Sequence, residues 1–107
     1  MLIFRQGDVL VVERTDNLPA QMTEVERDNG AVILAYGEVT GHSHAIAEDD
    51  VTLFMPSFAT NVRILQVGEG GATLRHDEHN PIVIPQGTYD VIIQSEFHDE
   101  EFRQVID

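Results

Sequence analysis

The chain has 107 residues, 42% of them hydrophobic, and no cysteine; that suffices for one domain with one core and excludes disulfides, thiolate metal ligands and a cysteine nucleophile. Its 19 acidic and 6 basic residues, the basic ones all arginine, give a formal net charge of −13, a surface that repels phosphate backbones and so argues against nucleic acid and anionic membrane as partners. No apolar run is long enough to cross a bilayer as a helix, and Met1 to Asp8 meets charge and a turn too early for a signal peptide, so a cytoplasmic location is expected.

In chain order, Val9-Leu10-Val11-Val12 is a β-branched run between turn signals and predicts a buried strand. Met22 to Arg27 alternates less cleanly. Asp28-Asn29-Gly30 supplies residues that tolerate positive φ, and Ala31 to Tyr36 resumes as an apolar strand, which predicts a hairpin around that turn. Val51 to Met55 predicts a strand ended by Pro56, and Val62 to Val67 another, closed by Gly68-Glu69-Gly70-Gly71. Ala72 to Arg75 follows. Pro81 to Pro85 and Thr88 to Gln94 flank Gln86-Gly87 as strand, turn, strand, and Ser95 to Asp107 is expected to form a final strand or a short helix.

Short strands about 8 to 12 residues apart, separated by Gly, Pro, Asn and Asp, predict an all-β domain spanning residues 1 to 107, a small barrel or a two-sheet sandwich. There is no sustained helical periodicity, internal repeat or linker.

Four of the five histidines fall in two clusters, His42-Ser43-His44 and His76-Asp77-Glu78-His79. Residues two apart on a strand leave the same face, so His42 and His44 point together. The second pair, three apart, converges only where the backbone turns, and His79-Asn80-Pro81 offers such a turn. Neutral imidazole is a good ligand for transition metals, and a catalytic site combines about three protein ligands with an open position. His42, His44, His76 and His79 are therefore the candidate ligands. The alternative is hydrogen bonding of these rings to Glu38, Glu48, Asp77 and Glu78, or exposure to water. His98, in an acidic tail, is assigned no role.

Gly37, His42-Ser43-His44 and Glu48 together resemble the first motif of the cupin superfamily, a glycine followed by H-x-H and a glutamate; Pro85-Gln86-Gly87 resembles the P-x-G of its second motif. The chain departs from the pattern at Met55, where a glycine is expected, at Asp90, where the second motif has its histidine, and at Gln94, where it has asparagine. The resemblance implies a jelly-roll-like barrel binding a metal through His42, His44 and Glu48, with His76 or His79 supplying the missing histidine. The chain is also similar to a group of short bacterial and phage proteins of unassigned function that share a G-E-V-T-G-H-x-H stretch, a later H-x-E-H and a P-x-G-x-Y segment.

The expectation is a mononuclear Zn, Fe, Ni or Mn site serving a small polar substrate, with Glu48 or Glu78 as a further ligand or general acid/base. The competing expectation is a non-enzymatic binding module with a structural metal or a pH-responsive histidine cluster. A homo-oligomer, a dimer, is expected from the strand Val62 to Val67 read as an exposed edge.

Overall fold

A computed structural model describes residues 1–37, 42–57 and 61–94. Glu38, the segment from Ser95 to Asp107 and His98 within it lie outside the described residues. All ten elements are strands: β1 (Ile3–Gln6), β2 (Val9–Glu13), β3 (Met22–Glu24), β4 (Val32–Tyr36), β5 (Ser43–Ile46), β6 (Val51–Pro56), β7 (Val62–Val67), β8 (Ala72–Arg75), β9 (Ile82–Ile84) and β10 (Gly87–Ile93). They form two antiparallel sheets, one of six strands in the order β1-β2-β10-β7-β6-β3 and one of four in the order β4-β5-β8-β9. The domain is thus an all-β sandwich rather than a closed barrel.

Strand alternation places every second side chain in the space between the sheets. From the larger sheet come Val9 and Val11, Val51 and Leu53, Leu65 and Val67, and Tyr89 and Val91; from the smaller come Ile46, Leu74 and Ile84, all in one core cluster. Each such side chain contributes about 1.5–3 kcal/mol on burial.

The Asp28 to Gly30 turn forms, with Asn29 and Gly30 at φ of 52° and 82°, but it does not close a hairpin ladder. A single bridge joins Asp28 to Ala31, after which β3 pairs with β6 and β4 pairs with β5. The turn is a corner between sheets, tied by the Arg27 guanidinium, which donates to the carbonyls of Gly30, Glu48 and Val51 at 2.9, 2.7 and 2.8 Å. Gln86-Gly87 likewise links β9 and β10 of different sheets. Local turn chemistry predicts the reversal, while the pairing partner is chosen by burial on both sides of it.

Two further differences bear on function. β7 is not an edge strand, because it pairs with β10 on one side and β6 on the other, so the ground for expecting a dimer through it is removed. β1, which composition did not single out, pairs with β2 through Ile3 to Gln6 and ends beside the histidines.

Candidate functional site

Strand register brings the two histidine clusters together. His44 shares the inward face of β5 with buried Ile46, and His76 follows Ala72 and Leu74 on the inward face of β8. β5 and β8 pair with Ala45 opposite Arg75 and Ile46 opposite Leu74, so the next step of the ladder sets His44 across from His76. Their ring centroids are 4.3 Å apart. His79 lies 4.6 Å from His76 and 6.1 Å from His44, and His42 lies 6.0 Å from His76.

Hydrogen bonds set the tautomers of two of the rings. His44 is 6% exposed and its Nδ1 is 2.9 Å from Oε1 of Gln6, itself only 2% exposed. The Gln6 amide nitrogen donates to the carbonyls of Leu74 and Asn80 at 2.9 and 3.0 Å, so its oxygen is the end facing His44 and must accept. The proton of neutral His44 therefore sits on Nδ1, and Nε2 carries a lone pair. Burial, the largest cause, and the neighbouring His76 hold the His44 pKa below the ordinary imidazole value; Asp8 opposes this and His79 adds to it. His76 has the opposite tautomer when neutral, since its Nδ1 accepts the Glu78 backbone N–H at 3.0 Å. His42 lies 3.8 Å from Asp77 and 3.7 Å from Glu78.

Two glycines allow this packing. Gly7, in the turn from β1 to β2, has φ of 60°, and a Cβ there would come within 2.9 Å of His79 Nε2 and 3.4 Å of His44 Cε1. Gly37 donates its N–H to the carbonyl of His42, and a Cβ at Gly37 would collide with that oxygen. The glycine ahead of the first histidine pair thus serves a close backbone approach that fixes where His42 enters.

The rings stand at one end of an open cavity of 640 Å³ between the sheets. Ile33 and Ala35 of β4 line one wall, Met55, Arg63 and Ile93 of the larger sheet the other, with Val25 and Glu26 beside them and Asp8 and Glu78 near the histidines. This volume lies within the range of small-molecule sites, about 300–1,000 Å³.

All four candidate histidines, His42, His44, His76 and His79, meet at this cavity, and Glu78 joins them on its lining. Glu48 does not. It lies four residues beyond His44, about 13 Å of extended chain, where its carboxylate accepts the Thr73 N–H at 3.1 Å, the bond that chiefly holds its pKa below the ordinary value. Asp90, in the position of the second cupin-motif histidine, forms an ion pair with Arg14 at 2.7 Å and is not among the residues lining the cavity. Among the described residues no three histidine, aspartate or glutamate side chains are disposed to hold one ion between them. The rings meet at mixed angles, His44 and His79 at 17°, His44 and His76 at 32°, His76 and His79 at 41° and His42 and His76 edge-on at 76°, so their nitrogens are not gathered on one point.

Sequence reasoning missed Gln6, Asp8 and Arg63. A signal exists for two of them. Gln6 and Phe4 share a face of β1, and Arg63 shares one with Leu65 and Val67; a polar residue at an inward position of an alternating strand needs a partner inside.

A family model described as Domain of unknown function (DUF8820) matches residues 5–94, and the chain belongs to that family. No curated protein and no solved structure matches the chain.

Proposed function

We propose that this member of the DUF8820 family is a cupin-like metal-binding protein that takes one divalent transition metal at the histidine end of its cavity and acts there on a small polar molecule. The observation that carries the reading is the Gln6 to His44 hydrogen bond at 2.9 Å. A protein that pins Nδ1–H to a buried carbonyl-type oxygen presents Nε2 as a ligand of fixed direction, the arrangement that orients metal-bound histidines. Three further imidazoles lie within reach: a ring bound at about 2.0–2.1 Å carries its centroid about 3 Å from the ion, so two ligand rings are separated by about 4.5–6.5 Å. The separations of His76 from His79 and His42 and of His44 from His79, 4.6, 6.0 and 6.1 Å, lie in this range, and the 4.3 Å between His44 and His76 lies just below it.

His44 is the anchor. His79 is exposed and His42 and His76 are half-buried, so their rings turn toward an ion at small packing cost, His76 giving up its bond from Glu78. A donor set of imidazoles favours Zn, Fe, Ni or Mn over magnesium and calcium. A bound ion supplies Lewis-acid polarisation of a ligand oxygen or activation of water. Glu78, on the cavity lining beside His42, is the carboxylate placed to hold or pass a proton there.

The test is metal content and Co(II) absorption of untagged protein. The expected result is about one ion per chain, with affinity lowered at least about tenfold in His79→Ala and more in His44→Ala. Less than about 0.1 ion per chain after Zn(II) or Co(II) loading, with no cobalt ligand-field bands, overturns the reading.

A second reading, a non-enzymatic module with a pH-responsive histidine cluster, is favoured by the close, tilted packing of His44 on His76, with ring centroids 4.3 Å apart. Protonation there would set like charges against each other. A cavity that opens on acidification in metal-free protein, with no metal uptake at neutral pH, would favour it over the first.

A further inference from the structure

We infer that Arg63 is the anchor of an anion subsite, and that the cavity takes a small monocarboxylate with an apolar body. The inference deepens the functional reading above, from which it takes the cavity as the place of action, but it does not depend on the metal.

Arg63 stands opposite Val91 of β10 and shares the inward face of β7 with Leu65 and Val67, so its side chain enters the space between the sheets. It lines the cavity across from the histidines' sheet and reaches that sheet, donating from one terminal nitrogen to the Leu34 carbonyl at 3.3 Å. Leu34 is the extra residue of a bulge in β4: Ile33 pairs with Ala45 and Ala35 with His44, leaving Leu34 without a partner in the register. Bulges of this kind re-aim backbone groups beside sites.

A guanidinium carries five N–H donors. Arg63 uses one, weakly, and forms no ion pair among the described residues. The other arginines facing structure have stronger partners: the terminal nitrogens of Arg14 donate to Asp90 and the Asn17 carbonyl, although its Nε is buried without a partner, and Arg27 donates to backbone carbonyls of the sheet corner. No Arg63 nitrogen is both fully buried and without a partner, so the unused donors of its fork stand open to the cavity. An incoming carboxylate accepts two of them in parallel hydrogen bonds.

The surroundings narrow the ligand. Val25, Ile33, Met55 and Ile93 give the cavity beside Arg63 apolar walls, which suit a hydrocarbon or aromatic body. Asp8, Glu26 and Glu78 line the same cavity, and the chain carries −13 overall, so a second negative charge on the ligand is penalised. A monocarboxylate is therefore favoured over phosphate or a dicarboxylate.

The test follows backbone and methyl NMR shifts of the full-length, EDTA-treated protein titrated with benzoate, with benzamide as its uncharged isostere and with inorganic phosphate. Benzoate is expected to shift Ile33, Met55 and Ile93 and to bind about tenfold or more tightly than benzamide, with the preference lost in Arg63→Gln and partly kept in Arg63→Lys. Equal affinity for benzoate and benzamide in the unmodified protein overturns the proposal without recourse to any variant, as does tighter binding of phosphate or no shift at these positions. Because metal is absent throughout, benzoate binding survives a failure of the metal reading, and metal uptake with no benzoate preference sinks only the anion subsite.

Discussion

The Nδ1–H of His44 donates to Oε1 of Gln6 at 2.9 Å, while the same Gln6 amide donates at 2.9 and 3.0 Å to the carbonyls of Leu74 and Asn80. One buried side chain at the end of β1 thereby joins β5, β8 and the turn that carries His79. It settles a tautomer and ties the larger sheet to the smaller at the site.

Replacing Gln6 removes all three bonds at once. Gln6→Leu is expected to destabilise the fold by about 1–3 kcal/mol, because two carbonyls and an imidazole N–H lose their partner in a dry setting. Urea unfolding reads the loss. Nitrogen-detected NMR should also show the His44 proton redistributing between Nδ1 and Nε2; a variant of unchanged stability and tautomer would refute the role given to Gln6.

At Gly7 the backbone itself is at issue. Its φ of 60° and the 2.9 Å approach of His79 to a would-be Cβ predict that Gly7→Ala costs about 1–2 kcal/mol and displaces the His79 ring. Metal affinity should fall with it. Gly30→Ala is the control, since that glycine also has positive φ but nothing within 4 Å of its Cβ position: it should cost stability without touching the site.

Acid should weaken the fold through His44. Its folded pKa is lowered by burial and by His76 and His79 against the pull of Asp8, so the unfolded chain binds the proton more readily. Stability from this group is then complete above the unfolded imidazole value of about 6.5 and falls as pH drops from there toward the lower folded value. Denaturation midpoints of metal-free protein between pH 7.5 and 5 should show a decline that is smaller in His44→Gln. An identical slope in the two proteins would contradict the assignment.

Glu48 separates the two sequence-based expectations for a carboxylate at the site. Because it holds the Thr73 N–H at 3.1 Å and does not line the cavity, Glu48→Gln should leave metal uptake unchanged and cost about 1 kcal/mol or less, most of it through a partly exposed, screened interaction. The Glu48 contribution is present above the unfolded carboxyl pKa of about 4.3 and is lost as pH falls through its lowered folded value. Glu78→Gln, by contrast, should alter activity or metal affinity without a comparable loss of stability.

The sequence by itself determined the local conformations. Val9 to Val12, Val51 to Met55, Val62 to Val67 and Ala72 to Arg75 are strands because β-branched and alternating apolar residues lie between turn signals, and His42 and His44 share a face because the period of a strand is two. The all-β class and the candidate histidines follow from such short-range features. Which strands pair does not, since register is set by burial of both faces at once and by residues far apart in the chain. The Asp28 to Gly30 turn joins two sheets instead of closing a hairpin, β7 lies inside its sheet, and Gln6 reaches His44, 38 positions further along the chain. Only the tertiary structure could bring His44 opposite His76, leave Glu48 outside the cavity and turn Arg63 into it, because each of these depends on a long-range ladder whose alternatives look equally good to the local sequence.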